Sequence, residues 1–399
     1  MCVTAVNNIG SIVWNSSLCC PLRAMTDKVR ELAEAIFGYL LRIVTFQMGE
    51  MRVSGAYYVM RFYQKFFSYD PREEKPLDAQ RLQQSKVLLT QFGGVEHRAP
   101  SLGGEDVHFM TFTPAAFFNK FRELGAHPLD VTYEGRARRV LLDAPEDVAA
   151  KFYFPMLNVT MPDGTVRRGA LLPDPCPTAD RHILYFHSPG RSMLMDRKII
   201  GACLGAGLSI TVSDQRGTGE SAGTPSEGGY YADAKAVMEA LLQDGIHADT
   251  IYAMGFCEGA ALAAYIKKEY HPRGVHLIAT NPYTSMREVV EGYGLLGRLG
   301  IRYGEQALKD PSIPIAQDCF DNEAKLRGLP SSNGKAIFVH TDTDNMMPRG
   351  TVSRLIGAFH QAGPVHEILR VHPNPKENGH LQPPTEDPLV WRRLMQCIT

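Results

Sequence analysis

Ile251-Tyr252-Ala253-Met254-Gly255-Phe256-Cys257-Glu258-Gly259-Ala260-Ala261-Leu262-Ala263-Ala264-Tyr265-Ile266-Lys267-Lys268 holds the change of pattern that decides the fold. Ile251 to Met254 is a short continuous apolar run, the signature of a buried strand. Ala260 to Lys268 is alanine-rich and reads as a helix. Between them Gly255-Phe256-Cys257-Glu258-Gly259 fits the pattern Gly-x-Ser-x-Gly with cysteine in the serine position. In that pattern a tight strand-to-helix turn throws the central side chain into the open. Glycines flank it because such a turn leaves no room for Cβ atoms against its neighbours. Outside this setting a cysteine among alanines reads as small-residue packing. Within it, Cys257 is a candidate nucleophile for acyl transfer through a thiolate.

Such a nucleophile needs a histidine to take its proton and an acid to orient that histidine. Both belong on loops after later strands, at the sheet edge where the turn points. Asp344 follows the apolar run Ala336 to Val339, within His340-Thr341-Asp342-Thr343-Asp344-Asn345-Met346-Met347-Pro348. His380 follows the last expected strand, in Asn378-Gly379-His380-Leu381. Asp342 competes with Asp344 as the acid, and either could instead cap the helix after Pro348. His372 competes with His380, although its place in a strand favours packing. The developing oxyanion needs backbone donors. The N–H of Glu258 is the first candidate. The second comes from Ser188 or Gly190, in the loop Ser188-Pro189-Gly190-Arg191-Ser192, because Pro189 has no N–H. The glycine-rich loop Asp214 to Gly223 lacks a dinucleotide fingerprint. Its Asp214 and Arg216 read as structural pair candidates.

Further out, strands and helices alternate. Strands are expected at Ile183 to His187, Leu208 to Ser213, Gly274 to Thr280, Lys335 to His340 and His366 to His372, with helices at Met193 to Ala206 and Tyr230 to Leu242. Short apolar strands separated by helices imply a mostly parallel sheet covered on both faces. Before them, Val107 to Phe112, Leu129 to Tyr133, Arg138 to Leu142 and Val166 to Leu172 read as strands. Pro162-Asp163-Gly164-Thr165 reads as a hairpin turn. Residues 91–172 are therefore assigned as leading antiparallel strands of the sheet, 173–399 as its α/β core, and 1–90 as an N-terminal helical extension with a short helix at 77–87. The long interval between Thr280 and Lys335 marks 283–330 as a helical cap.

Composition narrows the function classes. The chain has 399 residues, 44% of them hydrophobic, enough for a large core. A net charge of -1, with no basic stripe or zinc-finger spacing, argues against a nucleic-acid partner. The eight cysteines are scattered and form no Cys-x-x-Cys pair, which points to a reducing, cytoplasmic compartment. The first residues lack a signal-peptide pattern. The apolar stretch from Ala33 to Met48 is interrupted by Glu34, Gly38, Arg42 and Gln47, and falls short of a membrane span. It and the aromatic stretch from Val53 to Phe67 read as accessory helices. Packing on the main domain, peripheral membrane contact and partner binding all stay open for them.

The ordered set of motifs from about 175 to 399 resembles the α/β-hydrolase superfamily. His187-Ser188-Pro189-Gly190 resembles its oxyanion loop. Asp214-Gln215-Arg216-Gly217-Thr218-Gly219-Glu220-Ser221 resembles its Asp-x-Arg-Gly-x-Gly-x-Ser segment. Gly223-Thr224-Pro225-Ser226 followed by Gly229 to Ala234 is similar to the Bem46 and ABHD-like hydrolases. The N-terminal extension is similar to that of a related family in chlamydiae and other intracellular bacteria, some of whose relatives are secreted effectors. That likeness leaves membrane association, or delivery into a host cell without a signal peptide, open. Cysteine replaces serine as in dienelactone hydrolases, and Ser188-Pro189 departs from the usual glycine. The resemblance implies a hydrolase or acyltransferase acting on carboxylic esters or thioesters of lipid or small acyl substrates. Cys257, His380 and Asp344 would form its triad, with no metal or organic cofactor. A hydrolase-fold binding or effector protein with little turnover is the alternative.

Overall fold

The computed structural model describes residues 79–101, 104–178, 180–188, 192–223, 226–291, 320–344, 346–371, 379–381 and 383–398. The accessory stretches before residue 79, Gly190, His372 and most of the expected cap therefore lie outside the described residues. In chain order, α1 (Ala79–Gln91) leads to β1 (Val95–Pro100), β2 (Asp106–Phe112) and α2 (Pro114–Glu123). Next come β3 (His127–Tyr133), β4 (Arg136–Leu142), α3 (Glu146–Lys151), β5 (Met156–Thr160) and β6 (Val166–Leu171). The alternating half follows: β7 (His182–Phe186), α4 (Arg197–Gly205), β8 (Ser209–Ser213), α5 (Glu227–Gln243), β9 (Ile251–Phe256), α6 (Glu258–Glu269) and β10 (His276–Thr280). The last elements are α7 (Met286–Glu291), α8 (Asn322–Leu326), β11 (Ala336–Thr341), α9 (Thr351–Phe359), β12 (Val365–Arg370) and α10 (Pro388–Cys397).

Eight strands form one sheet in the order β1-β2-β8-β7-β9-β10-β11-β12. From β8 to β12 every pairing is parallel, and β2 is antiparallel to both β1 and β8. β7, β9 and β10 are buried along their whole length. This explains why they read as unbroken apolar runs: a strand covered on both faces has no polar side to alternate with. Ile183, Tyr185, Tyr252, Met254 and Ile278 point into one core with Ile200 of α4 and Trp391 and Leu394 of α10. Leu184, Phe186, Ile251, Ala253 and Leu277 point into the other with Val237 of α5, Ala260 to Ala264 of α6 and Phe359 of α9. Sheet order, one antiparallel leading strand and helices on both faces make this the α/β-hydrolase fold.

The assignment of residues 91–172 needs correction. Only β1 and β2 join the main sheet, whereas β3 to β6 form a separate antiparallel sheet in the order β3-β4-β6-β5. The expected hairpin is present: Met161 N–H donates to Thr165 O at 2.8 Å, and Gly164 takes φ +82°. Alternation is the reason this sheet stays apart. One face gathers Val140, Leu142 and Leu171 into a small apolar cluster. Charged cross-strand pairs stud the strands, such as Asp130 opposite Arg139 at 2.8 Å. A strand with charges on one side cannot take a central place in a sheet buried on both faces, and β1 and β12, which carry charges, lie at its two edges. Phe92, Phe117, Phe121, Phe152 and Phe154 pack mostly edge to face and join the main core. Among the described residues, no helix is long and apolar enough to cross a membrane.

Candidate active site

β9 carries the chain straight into a turn that only a constrained sequence tolerates. Cys257 sits at φ +55°, ψ −112°, a region that residues with a side chain rarely adopt. It is held there because its N–H donates to Thr280 O at 2.9 Å and its own carbonyl accepts from Ala260 N at 3.0 Å. A Cβ on Gly255 would run into the backbone of Gly259. A Cβ on Gly259 would lie 2.7 Å from the carbonyl carbon of Phe186 and 2.8 Å from His187 O. Both glycines are therefore dictated by close approach of β7, β9 and α6. Cys257 is 6% exposed and caps α6.

β11 and β12 deliver the other two groups. Asp344 Oδ1 accepts from Met346 N and Met347 N, each at 3.0 Å, which locks the carboxylate. Its Oδ2 then accepts from His380 Nδ1 at 2.7 Å. Of the two acids left open by the sequence, Asp344 meets the imidazole; Asp342 is exposed, and its N–H pairs with Arg370 O at 3.1 Å. His380 is 1% exposed. Burial works against a charged ring. The negative charge of Cys257, hydrogen bonds to Asp344 and Cys257 and the Asp344 charge outweigh it, and the His380 pKa is pushed up to about 10. Imidazole and carboxylate are thus hydrogen-bonded, and the charge of Cys257 acts on the same ring.

On the other side of the thiol, His187 organises the loop after β7. Its Nδ1 donates to Ser188 O at 2.8 Å and its Nε2 accepts from Gln215 N at 3.4 Å, which sets the tautomer. Gln215 Nε2 closes the ring by donating to His187 O at 2.8 Å. Ser188 is half-buried there, and Glu258, the first residue of α6, is buried beside the thiol. Glu258 thus stands in the first turn of α6, where helix amides have no intrahelical acceptor.

Asp214 and Arg216 each have structural partners of their own among the described residues. Asp214 accepts from Met193 N at 2.8 Å and Glu220 N at 3.1 Å, tying two loops together. Arg216 lies on Asp233 and Glu105, each at 2.8 Å. The positive φ of Gly219 and Gly223 bends the loop between them; a Cβ on Gly219 would strike the Asp214 carboxylate.

Sequence reasoning missed Asn281. It takes φ +43° directly after β10, and its Nδ2 donates to His380 O at 2.6 Å. The available signal was an asparagine at a strand end, the side chain that best tolerates the left-handed region. It also missed a polar cluster in which Glu96, His108 and Glu220 could converge on a cation. Lys86 already fills that role, with Nζ 2.9 Å from Glu96 and 2.7 Å from Glu220. A cavity of about 290 Å³ lined by Phe118, Arg122, Pro128, Asp130 and Arg139 belongs to α2 and the smaller sheet, not to Cys257.

No family model matches the chain. An uncharacterized protein of Mycobacterium tuberculosis is 27% identical over 165 residues, which is 41% of this chain and 52% of that protein. The chain thus spans about half the length of this curated relative. Protein bem46 of Schizosaccharomyces pombe is 28% identical over 124 residues, 30% of this chain and 41% of that protein. Among solved structures, an esterase of Pyrococcus furiosus is similar with 12% identity and a TM-score of 0.48, covering 78% of this chain and 92% of the other.

Proposed function

We propose that this protein hydrolyses carboxylic esters or thioesters, or transfers their acyl groups, with Cys257 as nucleophile, His380 as acid and base, and Asp344 as the orienting acid. The observation that carries the reading is the Asp344–His380 hydrogen bond of 2.7 Å, made by a histidine that also interacts with a cysteine held at φ +55°. A strained residue, a buried imidazole and a locked carboxylate are costly features for a scaffold and useful ones for a nucleophile.

The steps follow from the positions. His380 holds the proton that leaves Cys257, and the sulfur attacks the acyl carbon. The carbonyl oxygen becomes an oxyanion, met by the N–H of Glu258 and a second donor supplied by Ser188 or Gly190. Collapse breaks the bond to the leaving oxygen or sulfur, which takes the proton from His380. Water, or another acceptor, then gives its proton to His380, attacks the acyl-sulfur intermediate and releases the acid while the thiol is restored. An amide would need its poor amine leaving group protonated earlier, so esters and thioesters suit a sulfur nucleophile better.

The test is turnover of p-nitrophenyl and thioester substrates by the wild type, Cys257→Ala, His380→Gln and Asp344→Asn, with iodoacetamide labelling of Cys257 followed in parallel. The expected result is a loss of at least about a thousandfold for Cys257→Ala and His380→Gln, with His380-dependent labelling. Labelling no faster than that of an ordinary thiol, without turnover, would favour a hydrolase-fold binding protein. Amide turnover equal to that of a matched ester would overturn the substrate preference.

A further inference from the structure

The segment that leaves β10 touches both ends of the proposed site. Thr280 O accepts the Cys257 N–H, and the Asn281 side chain holds the carbonyl of His380. Two residues on stands Tyr283. Its backbone is fixed by Asn322, whose Nδ2 donates to Tyr283 O at 2.8 Å and whose N–H donates to Thr284 O at 2.7 Å. The side chain is 1% exposed, yet its hydroxyl has no hydrogen-bond partner among the described residues. A buried hydroxyl without an acceptor is costly, and native proteins keep few of them without a reason. A phenylalanine would pack the same ring at no such cost.

The surroundings say what the hydroxyl can meet. Burial first, then the charges of Glu258, Cys257, Tyr231 and Glu227, hold its proton far above the ordinary tyrosine range, so it remains a donor at any working pH. The same negative groups disfavour an anionic acceptor. Its place also separates it from the oxyanion donors: β7, which carries the Ser188 loop, pairs with one edge of β9, and β10 pairs with the other.

We propose that Tyr283 is a specificity-determining residue that donates a hydrogen bond to a neutral oxygen, a hydroxyl, ether or carbonyl, carried by the substrate beside its scissile carbonyl. The preferred substrates are then oxygen-substituted acyl or alkoxy groups rather than plain hydrocarbon ones. The assignment rests on Cys257 being the nucleophile.

Two near-isosteric ester pairs test it with the full chain: p-nitrophenyl methoxyacetate against p-nitrophenyl butyrate, and 2-methoxyethyl acetate against butyl acetate. The oxygen-to-carbon ratio of kcat/KM is measured for the wild type and for Tyr283→Phe, so that intrinsic reactivity cancels between enzymes. Tyr283→Phe is expected to lower that ratio by about tenfold or more in at least one pair, with a thermal midpoint at or above that of the wild type. Ratios unchanged in both pairs overturn the assignment, as does a lowered midpoint, which would give the hydroxyl a structural partner. Absence of Cys257-dependent turnover of all four esters, judged with Cys257→Ala, overturns the acyl-transfer reading itself and this assignment with it.

Discussion

The side-chain amide of Asn281 reaches across from the end of β10 to the main-chain carbonyl of His380, 2.6 Å away. The residue is 3% exposed and left-handed, so its side chain works as a fixed bracket between two loops. Asn281→Ala removes the donor and places alanine at φ +43°. The expected cost is about 1–3 kcal/mol of stability, read by urea denaturation. Turnover should fall about tenfold through kcat, with KM little changed.

His380 sets a pH dependence whose sign is fixed. Its folded pKa lies near 10, above the ordinary value of 6.5. The folded state binds this proton more tightly than the unfolded one, so the stabilisation is fully present below about pH 6.5 and is lost as pH rises towards 10. Denaturation midpoints measured across that window should fall with pH. Cys257→Ala removes the leading cause of the raised value and should flatten the slope.

Gly259→Ala would drive a methyl group into the Phe186 and His187 carbonyls. Those atoms are backbone and cannot turn aside, so α6 must move away from β7. The expected loss is about 3 kcal/mol or more, measured by denaturation. Any folded protein recovered should keep its Cys257 thiol but lose most of its turnover.

Arg216 sits between Asp233 and Glu105, and Asp233 is nearly buried. Arg216→Met strands that carboxylate and should cost about 3–5 kcal/mol. The double variant Arg216→Met, Asp233→Leu should recover much of the loss, because it removes the stranded charge. Thermal unfolding of the three variants checks this.

The alternating half of the molecule could be read from the chain because its strands are buried on both faces and its turns are set by glycine. Gly255 and Gly259 announce the bend at Cys257, and the order of Asp344 and His380 follows from strand order alone. The smaller sheet was harder. β3 alternates in burial whereas β2 is buried on both faces, a difference that shows only once each strand has found its sheet. Asn281 and Tyr283 were hard to read for a related reason. Their roles depend on His380 and Cys257, distant in sequence, and their own neighbourhood of Asn-Pro-Tyr-Thr reads as an ordinary turn.

Cys257, Asp344 and His380 are borne by loops after three different strands, and His380 lies 123 residues downstream of Cys257. During synthesis at about 5–20 residues per second, the thiol emerges from the ribosome several seconds before the ring that would arm it. Until β12 docks, the nascent chain carries Cys257 without the His380 ring beside it. A truncated product ending before residue 380 would share that condition.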